Sequence, residues 1–271
     1  AGLTFQRNVG VDASTGDCVF FLDDDCLPLP GYFAALARVL REDVGQKTVA
    51  VAGSILNEMG RPLSTKWRIR LRVGLVAGCE GLKYYPSGCS GPFSAVAPFT
   101  GVRVVDVVPG GVSVYRRRVL EKHRFSEYFQ GYAQGEDLEM SRRVAQEGIL
   151  LWCGDAHVRH LHAGGGRPDW YVKGRMEVRN RFFIWKRHSP DAALSDRVRF
   201  WMDTFFSITC DAFGFLRTGK RYAWRHLLGT AHGTFDCVFA PPKYQEPVTA
   251  PRYEVRLRLL AGADATGARP A

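Results

Sequence analysis

Cys18-Val19-Phe20-Phe21-Leu22-Asp23-Asp24-Asp25 is the stretch of this 271-residue chain that decides its fold class. Valine, phenylalanine and leucine in a short unbroken run predict a buried strand. Consecutive carboxylates repel each other, so a cation or solvent must compensate them. A buried strand that ends in such a cluster predicts a divalent metal site, and oxygen ligands favour Mg²⁺ or Mn²⁺ over zinc. The alternative is a solvated acidic turn, closed by Pro28 and Pro30.

The segments that flank this strand predict an α/β sheet with parallel strands. Residues 4–14 are expected to form a helix, which Gly16 ends. After the acidic cluster, Pro30 suits the first position of a helix with one apolar face. Residues 48–55 predict a second buried strand. A strand, a helix and a strand in this order form the unit of a parallel α/β sheet.

Apolar runs and helical patterns predict four more strands and five more helices after an irregular segment at 56–101. The strands are expected at 102–108, 112–115, 149–153 and 156–161, and the helices at 117–123, 136–147, 169–187, 192–217 and 221–239. Polar residues recur every four positions in the fourth of these helices, which predicts one narrow stripe on an otherwise apolar helix. The stripe consists of Arg199, Asp203, Ser207 and Asp211.

This order of elements predicts three parts of the chain. Residues 1–168 are expected to form an α/β core, and residues 169–240 a helical extension. Residues 241–271 are rich in proline and arginine and predict a tail that is ordered only in part.

The composition is that of an ordinary globular protein, with 46% hydrophobic and 24% charged residues. No apolar run reaches the ~18 residues needed to cross a bilayer, and the start of the sequence has no signal-peptide pattern. The seven cysteines are scattered without a CxxC pair. They argue against a disulfide framework or a zinc site and predict a reducing, cytoplasmic compartment.

The formal net charge of +10 predicts attraction to an anion. Nucleic acid, anionic lipid and a phosphorylated small substrate all qualify. The arginines are spread over several segments, so simple solubility explains the charge about as well as a specific partner.

Three later motifs line up with the aspartate cluster. They are Gly110-Gly111, Gly135-Glu136-Asp137 and His160-Leu161-His162. Acidic residues at a helix N-terminus are favoured by the helix dipole, by ~0.3–1 kcal/mol each, so the Glu-Asp pair alone has a structural explanation. His160 alone is also more often structural. The order and spacing of all four features favour one shared functional site.

These segments together resemble glycosyltransferase family 2, whose members have the GT-A nucleotide-sugar-binding fold. The resemblance begins with Gln6-Arg7-Asn8-Val9-Gly10 and the aspartate cluster. It continues through Pro109-Gly110-Gly111 and the Glu-Asp motif, and it ends near the run from Asp155 to His160. It covers about residues 5–187 and implies a mixed sheet flanked by helices, with a C-terminal helical extension.

The resemblance also implies a role for each matching position. Asp25 is expected to bind the metal that bridges the donor diphosphate, together with Asp23 and His160, while His162 is the rival to His160. Asp137 is implied as the general base, with Glu136 beside it to orient the acceptor. The remaining implied contacts are Arg7, Asn8, Asp23 and Asp24 with the donor and Gly110 and Gly111 with the acceptor.

The implied reaction moves a sugar from a nucleotide-diphosphate donor to an acceptor hydroxyl, with Mn²⁺ or Mg²⁺ as the cofactor. A single base without a second carboxylate nucleophile suits one displacement with inversion. The expected partners are a nucleotide sugar and a glycan or lipid-linked acceptor, as in the synthesis of cell-envelope polysaccharide, with no nucleic acid.

One departure from the family concerns the first residues. Relatives begin with a strand, a helix and another strand that help to hold the nucleotide base, whereas this sequence begins inside the helix before the aspartate strand. We therefore expect the sequence to be a fragment with an incomplete core.

Three alternatives stay open at this point. A Mg²⁺-dependent nucleotidyltransferase or phosphohydrolase also places carboxylates at strand ends, and a non-catalytic nucleic-acid-binding module would use the basic charge. The arginines and aromatic residues of 169–239 are typical of a segment that contacts an anionic membrane surface from the cytoplasmic side. These helices could instead cover the core or form a homodimer contact, and Asp203 and Asp211 argue against anionic lipid.

Overall fold

The computed structural model describes residues 2–162 and 168–243. Its helices are α1 (Leu3–Ala13), α2 (Tyr32–Glu42), α3 (Thr65–Arg72), α4 (Arg117–Lys122), α5 (Glu136–Val144), α6 (Trp170–His188), α7 (Leu194–Thr218) and α8 (Arg221–Phe239). Its strands are β1 (Cys18–Leu22), β2 (Cys26–Pro28), β3 (Thr48–Ile55), β4 (Tyr84–Tyr85), β5 (Cys89–Ser90), β6 (Val102–Val105), β7 (Val112–Arg116) and β8 (Ile149–His160).

Six of these strands form one mixed sheet, in the order β1-β7-β3-β8-β2, with β6 also paired to β8. The predicted mixed sheet flanked by helices is confirmed. Strands β1 and β3 are each antiparallel to β7, while β3 and β8 are parallel. The predicted unit of β1, α2 and β3 therefore exists, but β7 lies between its two strands, so the unit crosses over one strand.

The register of the sheet brings distant motifs to one end of it. Leu22, at the end of β1, pairs with Val112 at the start of β7. Cys26, at the start of β2, pairs with His160 at the end of β8. The aspartate cluster lies between these two pairings, so it is held next to Gly111 on one side and His160 on the other.

Helices cover both faces of the sheet because the sheet strands are apolar on both sides. Helix α2 packs Leu36 and Leu40 against Val51 and Val158 on one face. On the other face, α1, α5 and part of α6 enclose the neighbouring positions of β3, such as Ala50. Leu36 has no exposed surface, and its replacement by alanine is expected to cost ~2–5 kcal/mol of stability.

Strand β8 corrects one prediction. The two short strands expected at 149–153 and 156–161 are one strand, Ile149–His160. Ala52 of β3 pairs with Trp152, whereas Ser54 pairs with His157. The extra residues on the β8 side form a bulge, and this bulge lies where the sequence pattern suggested a break.

The region at 56–101 is mostly irregular, as predicted, but it contains α3 and the small β4–β5 hairpin. Ser64 caps α3 by accepting a hydrogen bond from the backbone N–H of Trp67 at 3.3 Å. No residue of α3 is buried, so this helix lacks the apolar face that would have revealed it in the sequence.

Helices α6, α7 and α8 form the predicted C-terminal extension and have a small core of their own. Phe182 and Trp185 of α6 pack against Phe200 of α7 and Cys237 of α8. The neighbouring Phe183 points instead into the core beneath the sheet. Helix α6 therefore belongs to both cores and fixes the extension to the sheet.

The polar stripe of α7 faces the protein interior, which corrects its predicted orientation. Asp203 is fully buried and Ser207 and Asp211 are half-buried. Asp203 binds Arg70 of α3 and Arg181 of α6, each at 2.6 Å. The stripe therefore cannot repel a membrane, because it is enclosed between α3, α6 and α8.

No described helix is both long and apolar enough to span a bilayer. All seven cysteines lie in the described residues and are free thiols. Of the predicted tail, 241–243 follows α8 without regular structure, and 244–271 lies outside the described residues.

Candidate active site

A cleft of about 870 Å³ opens at the end of the sheet where the motifs meet. We call it the aspartate cleft. It is lined by the predicted site residues Arg7, Asp23, Asp24, Asp25, Gly110, Gly111, Glu136, Asp137 and His160. The structure thus brings the aspartate cluster, the glycine pair, the Glu-Asp pair and the histidine around one space, although they lie up to 153 residues apart in the numbering, as the positions of Arg7 and His160 give.

Arg7 lies at the back of this cleft and connects two of its acidic groups. The guanidinium contacts Glu136 directly and lies 3.5 Å from a carboxylate oxygen of Asp23. It also lies 5.3 Å from the ring centroid of Phe125. Burial opposes its charge, but the carboxylates of Glu136, Asp23 and Asp137 outweigh burial and raise the pKa of Arg7.

Glu136 is the buried partner of Arg7. Burial and the nearby charge of Asp137 raise the pKa of Glu136 to about 8, and Arg7 opposes this shift. Its carboxylate faces Arg7 in the interior, with a side-chain exposure of 7%. The geometry therefore favours a role in holding Arg7 over the predicted contact with an acceptor.

Asp137 begins α5 beside the cleft. Gly135 precedes the helix with φ at 89°, a left-handed conformation that glycine adopts without strain. One carboxylate oxygen of Asp137 accepts a hydrogen bond from the backbone N–H of Leu138 at 2.8 Å. The other accepts from the N–H of Gly110 at 3.3 Å. These two bonds hold the carboxylate at the helix N-terminus and leave it half-buried.

The glycine pair is small because charged side chains occupy the space beside it. A Cβ on Gly111 would lie 2.0 Å from a carboxylate oxygen of Asp23. A Cβ on Gly110 would lie 2.4 Å from the guanidinium of Arg7. Both glycines line the aspartate cleft. The requirement for glycine therefore comes from Asp23 and Arg7, and no contact with an acceptor is needed to explain it.

A second group of side chains surrounds His160 at the end of β8. Its Nε2 lies 3.2 Å from a carboxylate oxygen of Asp25, and its Nδ1 lies 2.6 Å from Oε1 of Glu58. His162 places its Nε2 3.3 Å from the same Glu58 oxygen. Burial alone would lower the pKa of His160, but Glu58 and Asp25 outweigh it and raise the pKa.

These residues can hold a metal ion. Two overlapping sets have their donor atoms within 4.8 Å of one another: Asp25, Cys26 and His160, and Glu58, His160 and His162. Burial and the nearby carboxylates raise the pKa of Cys26 to about 12, so its thiol is a poor ligand. The carboxylate and imidazole donors that remain suit Mn²⁺ or Mg²⁺ better than a soft metal.

Asn8 does not reach the cleft, although a donor contact was predicted for it. It is 2% exposed. Its amide N–H donates to the carbonyl of Phe125, and its amide oxygen accepts from the N–H of Phe125, both at 2.9 Å. Because these bonds occupy both ends of the amide, Asn8 fixes α1 to the segment before α5.

A second cleft of about 640 Å³ meets the aspartate cleft at Asp137. We call it the helical cleft, since α3, α6, α7 and α8 form most of its walls. The two clefts share four lining residues, Pro109, Gln134, Gly135 and Asp137. A group bound in either cleft would therefore approach the carboxylate of Asp137.

Two features of this site were missed in the sequence. Glu58 follows β3 by three positions, and a polar residue just after a buried strand is the same signal that revealed the aspartate cluster. The walls of the helical cleft gave no such signal. Its charged residues lie on helices whose basic character resembles an exposed surface.

Residues 2–124 match the family model described as glycosyl transferase family 2, which confirms the resemblance over that range. A comparison with curated proteins gave no match.

Two solved structures were similar to the chain. One is described as GalNAc-T7 with UDP, GalNAc and Mn²⁺, with 18% identity, a TM-score of 0.41, and coverage of 72% of this chain and 39% of that chain. The other is the mannosyltransferase PcManGT from Pyrobaculum calidifontis in complex with GDP-Man and Mn²⁺, with 14% identity, a TM-score of 0.39, and coverage of 99% and 61%. The chain thus spans less than two thirds of the length of either structure.

Proposed function

We propose that this chain, which carries a glycosyl transferase family 2 domain over residues 2–124, moves a sugar from a nucleotide-diphosphate donor to an acceptor hydroxyl. The observation that carries the proposal is one cleft lined by both Asp25 and His160, as candidate metal ligands, and Asp137, as a candidate base. A metal group and a separate carboxylate base on one cleft are the two parts that sugar transfer from a diphosphate requires.

The cofactor in this proposal is Mn²⁺ or Mg²⁺, held by Asp25 and His160. Asp23 lies in the same cleft, where it faces Arg7. When bound, the ion stabilises the negative charge of a leaving diphosphate as a Lewis acid. Both similar structures contain Mn²⁺ and a nucleotide or nucleotide sugar, which is consistent with this assignment.

Asp137 takes the proton of the acceptor hydroxyl in the proposed reaction. The hydroxyl oxygen forms a bond to the anomeric carbon, and the bond from that carbon to the diphosphate oxygen breaks. The diphosphate leaves with the electron pair, and the proton goes to Asp137. A single in-line displacement of this kind inverts the anomeric carbon, and a positioned base contributes typically ~10²–10⁴-fold in rate.

Arg7 and Glu136 serve as positioning residues in this proposal. Arg7 lies between Glu136 and Asp23, with its side chain 7% exposed. A buried guanidinium with two carboxylate partners keeps both in fixed places, and removal of one partner from such a pair typically costs ~3–5 kcal/mol. Arg7 therefore supports Asp23 from behind and needs no direct contact with the donor.

A transfer assay tests the proposal. The chain is incubated with Mn²⁺ and a panel of UDP and GDP sugars, and release of the nucleoside diphosphate is measured together with the anomeric configuration of the product by NMR. We expect release from at least one donor, with inversion. Cleavage of nucleoside triphosphates to pyrophosphate, with no turnover of any nucleotide sugar, would favour a nucleotidyltransferase or phosphohydrolase and refute the proposal.

A further inference from the structure

The charges of the helical cleft compensate one another. Its lining contains four basic residues, Lys66, Arg70, Arg181 and His226, and four acidic residues, Asp137, Glu177, Asp203 and Asp211. Hydrogen bonds from Asp211 and Glu177 raise the pKa of His226 to about 9, so its imidazole carries a positive charge at neutral pH. The cleft as a whole therefore has no excess of either sign.

The basic groups of this cleft are committed to partners within the protein. Arg70 and Arg181 both bind the fully buried Asp203. Lys66 lies 3.6 Å from Asp211, which also binds His226 at 2.7 Å. An anionic ligand would have to separate the arginines from Asp203. The displaced carboxylate would then be buried without a partner, which is costly.

The remaining lining suits a ligand that is neutral and rich in hydroxyl groups. Thr204, Ser207 and Thr230 donate their hydroxyl protons to groups of the helices, so their oxygens can accept further hydrogen bonds. Trp67 and Phe93 supply aromatic surface at the side of the cleft. Apolar surface with a few placed polar groups is typical of a site for a small organic ligand.

We propose that the helical cleft binds a neutral glycan, with one of its hydroxyls beside Asp137, and that phosphorylated or carboxylated acceptors are disfavoured there. The proposal rests on the proposed function in one respect, since the glycan is assigned as the acceptor. The structural basis is the shared Asp137, the compensated charges and the aromatic wall that includes Trp67.

The test measures sugar binding directly. Tetrasaccharides of glucose, mannose and N-acetylglucosamine, and the same sugars with a terminal phosphate, are titrated against the full chain by saturation-transfer NMR, with and without UDP and Mn²⁺. We expect at least one neutral tetrasaccharide to bind, with little dependence on salt. Trp67→Ala should weaken it at least tenfold, while the control Trp224→Ala, which replaces an exposed tryptophan outside the cleft, should leave it unchanged.

Several outcomes would overturn the proposal. They are tighter, salt-dependent binding of the phosphorylated sugars, equal affinity in the Trp67→Ala variant, and no binding of any neutral tetrasaccharide. Binding of UDP with Mn²⁺ is measured on the same samples. If UDP fails to bind while the neutral sugar binds through Trp67, the proposed function is wrong and the helical cleft remains a glycan site. The reverse result refutes the cleft alone.

A separate observation concerns the outer surface of α7 and α8. Helix α7 exposes apolar side chains that recur at helical spacing along one face: Leu194, Val198, Met202, Phe205, Phe213 and Leu216. Helix α8 exposes a second such row: Trp224, Leu228, Phe235 and Val238. We call these ten residues the hairpin face. Scattered exposed apolar residues are common, but two continuous rows on adjacent helices indicate an interaction surface.

The charges around the hairpin face are positive. Arg217, Lys220 and Arg221 are exposed where α7 turns into α8. The four acidic residues of the two helices all form ion pairs with basic side chains of the protein: Asp196, Asp203, Asp211 and Asp236. Aromatic and aliphatic rows beside free basic residues are typical of helices that lie in the interface of an anionic bilayer.

We infer that the hairpin face binds an anionic membrane surface, with the two helices lying along it. The charge complementarity of the exposed basic turn favours lipid over a second copy of this chain, which would bring like charges together. This assigns the expected membrane contact to α7 and α8. The aromatic residues of α6 are excluded because Phe182, Phe183 and Trp185 are buried.

Vesicle flotation tests this surface. The full chain is floated with phosphatidylcholine vesicles that either contain or lack phosphatidylglycerol. We expect binding only to the anionic vesicles, at least a tenfold loss in the double variant Phe205→Glu and Phe213→Glu, and a partial loss at high salt. Val44→Glu is the matched control, since Val44 is 96% exposed and lies far from the hairpin in the chain.

Two results would contradict this inference. One is the absence of binding to anionic vesicles at low salt, with normal circular dichroism. The other is a dimer in analytical ultracentrifugation that Phe205→Glu dissociates, without any vesicle binding. That outcome would make the hairpin face an interface between two copies.

Discussion

The two clefts that meet at Asp137 differ in how their carboxylates are balanced. The aspartate cleft has five carboxylates, Asp23, Asp24, Asp25, Glu136 and Asp137, against two basic side chains, Arg7 and His160. The helical cleft has four acidic and four basic residues. An excess of negative charge at one site and balance at the other indicate different ligands: a cation with a diphosphate in the first, and an uncharged molecule in the second.

The comparison also separates catalytic from structural carboxylates. Asp137 is half-buried and borders both clefts, whereas Asp203 is fully buried between two arginines. Similar residues in neighbouring clefts should therefore respond differently to the same substitution. Substitution in the aspartate cleft should reduce activity or metal binding, and substitution in the helical cleft should reduce stability.

The largest effect is expected for Asp137→Asn. Loss of the base should lower the transfer rate by about 10²–10⁴-fold, while the affinity for the donor stays nearly unchanged, because an amide fills the same space. Transfer rates and calorimetric donor affinity are the measurements. Asp191→Asn, at an exposed position between α6 and α7, is the control. A large loss of donor affinity would mean that Asp137 binds the donor.

Asp203→Asn should lower the free energy of unfolding by about 3–5 kcal/mol, because it leaves Arg70 and Arg181 buried without a counter-charge. Urea unfolding followed by circular dichroism measures this change. A loss below 1 kcal/mol would show that the two arginines find other partners, and it would weaken the contrast between the clefts.

Glu58→Gln should weaken Mn²⁺ binding by about 10–100-fold, since Glu58 holds Nδ1 of His160 at 2.6 Å and orients the ring. Calorimetric titration with Mn²⁺ in the absence of any donor measures the affinity. Glu42→Gln at the end of α2 serves as the control. Unchanged affinity in the Glu58 variant would place the metal on other ligands.

The smallest expected effect concerns pH and His226. Its pKa is raised to about 9 in the folded chain, above its usual value of 6.5. The pairs with Asp211 and Glu177 therefore stabilise the fold fully below pH 6.5, and this contribution is lost as the pH rises through 9. Relative to His226→Gln, the wild type should lose about 1 kcal/mol of stability over this range, since partial exposure screens the pairs. Parallel pH profiles for both proteins would exclude this contribution.

The sheet and the aspartate cleft could largely be predicted from the sequence. Buried strands leave unbroken apolar runs, as in 18–22 and 48–55, and the polar groups that follow them mark the end of the sheet. The insertion of β7 between β1 and β3 could not be predicted, because strand pairing depends on contacts between distant parts of the chain.

The helical extension could be predicted only in outline. A helical period identifies a polar row and an apolar row, but it does not say which row faces the protein. On α7 the row with Asp203 faces inward because Arg70 and Arg181 compensate it, and the row with Phe205 faces outward. These partners come from α3 and α6, so their positions depend on the folded structure.

Calorimetric titration of UDP and GDP into the chain, with Mn²⁺ and then with EDTA, tests the central claim most directly. If the aspartate cleft binds a metal and a diphosphate together, at least one nucleotide binds only with Mn²⁺. Asp25→Asn should then weaken it at least tenfold, while Asp203→Leu, in the charge-balanced cleft, leaves it unchanged in the folded fraction. Equal binding in EDTA, or full affinity in the Asp25→Asn variant, would contradict the account.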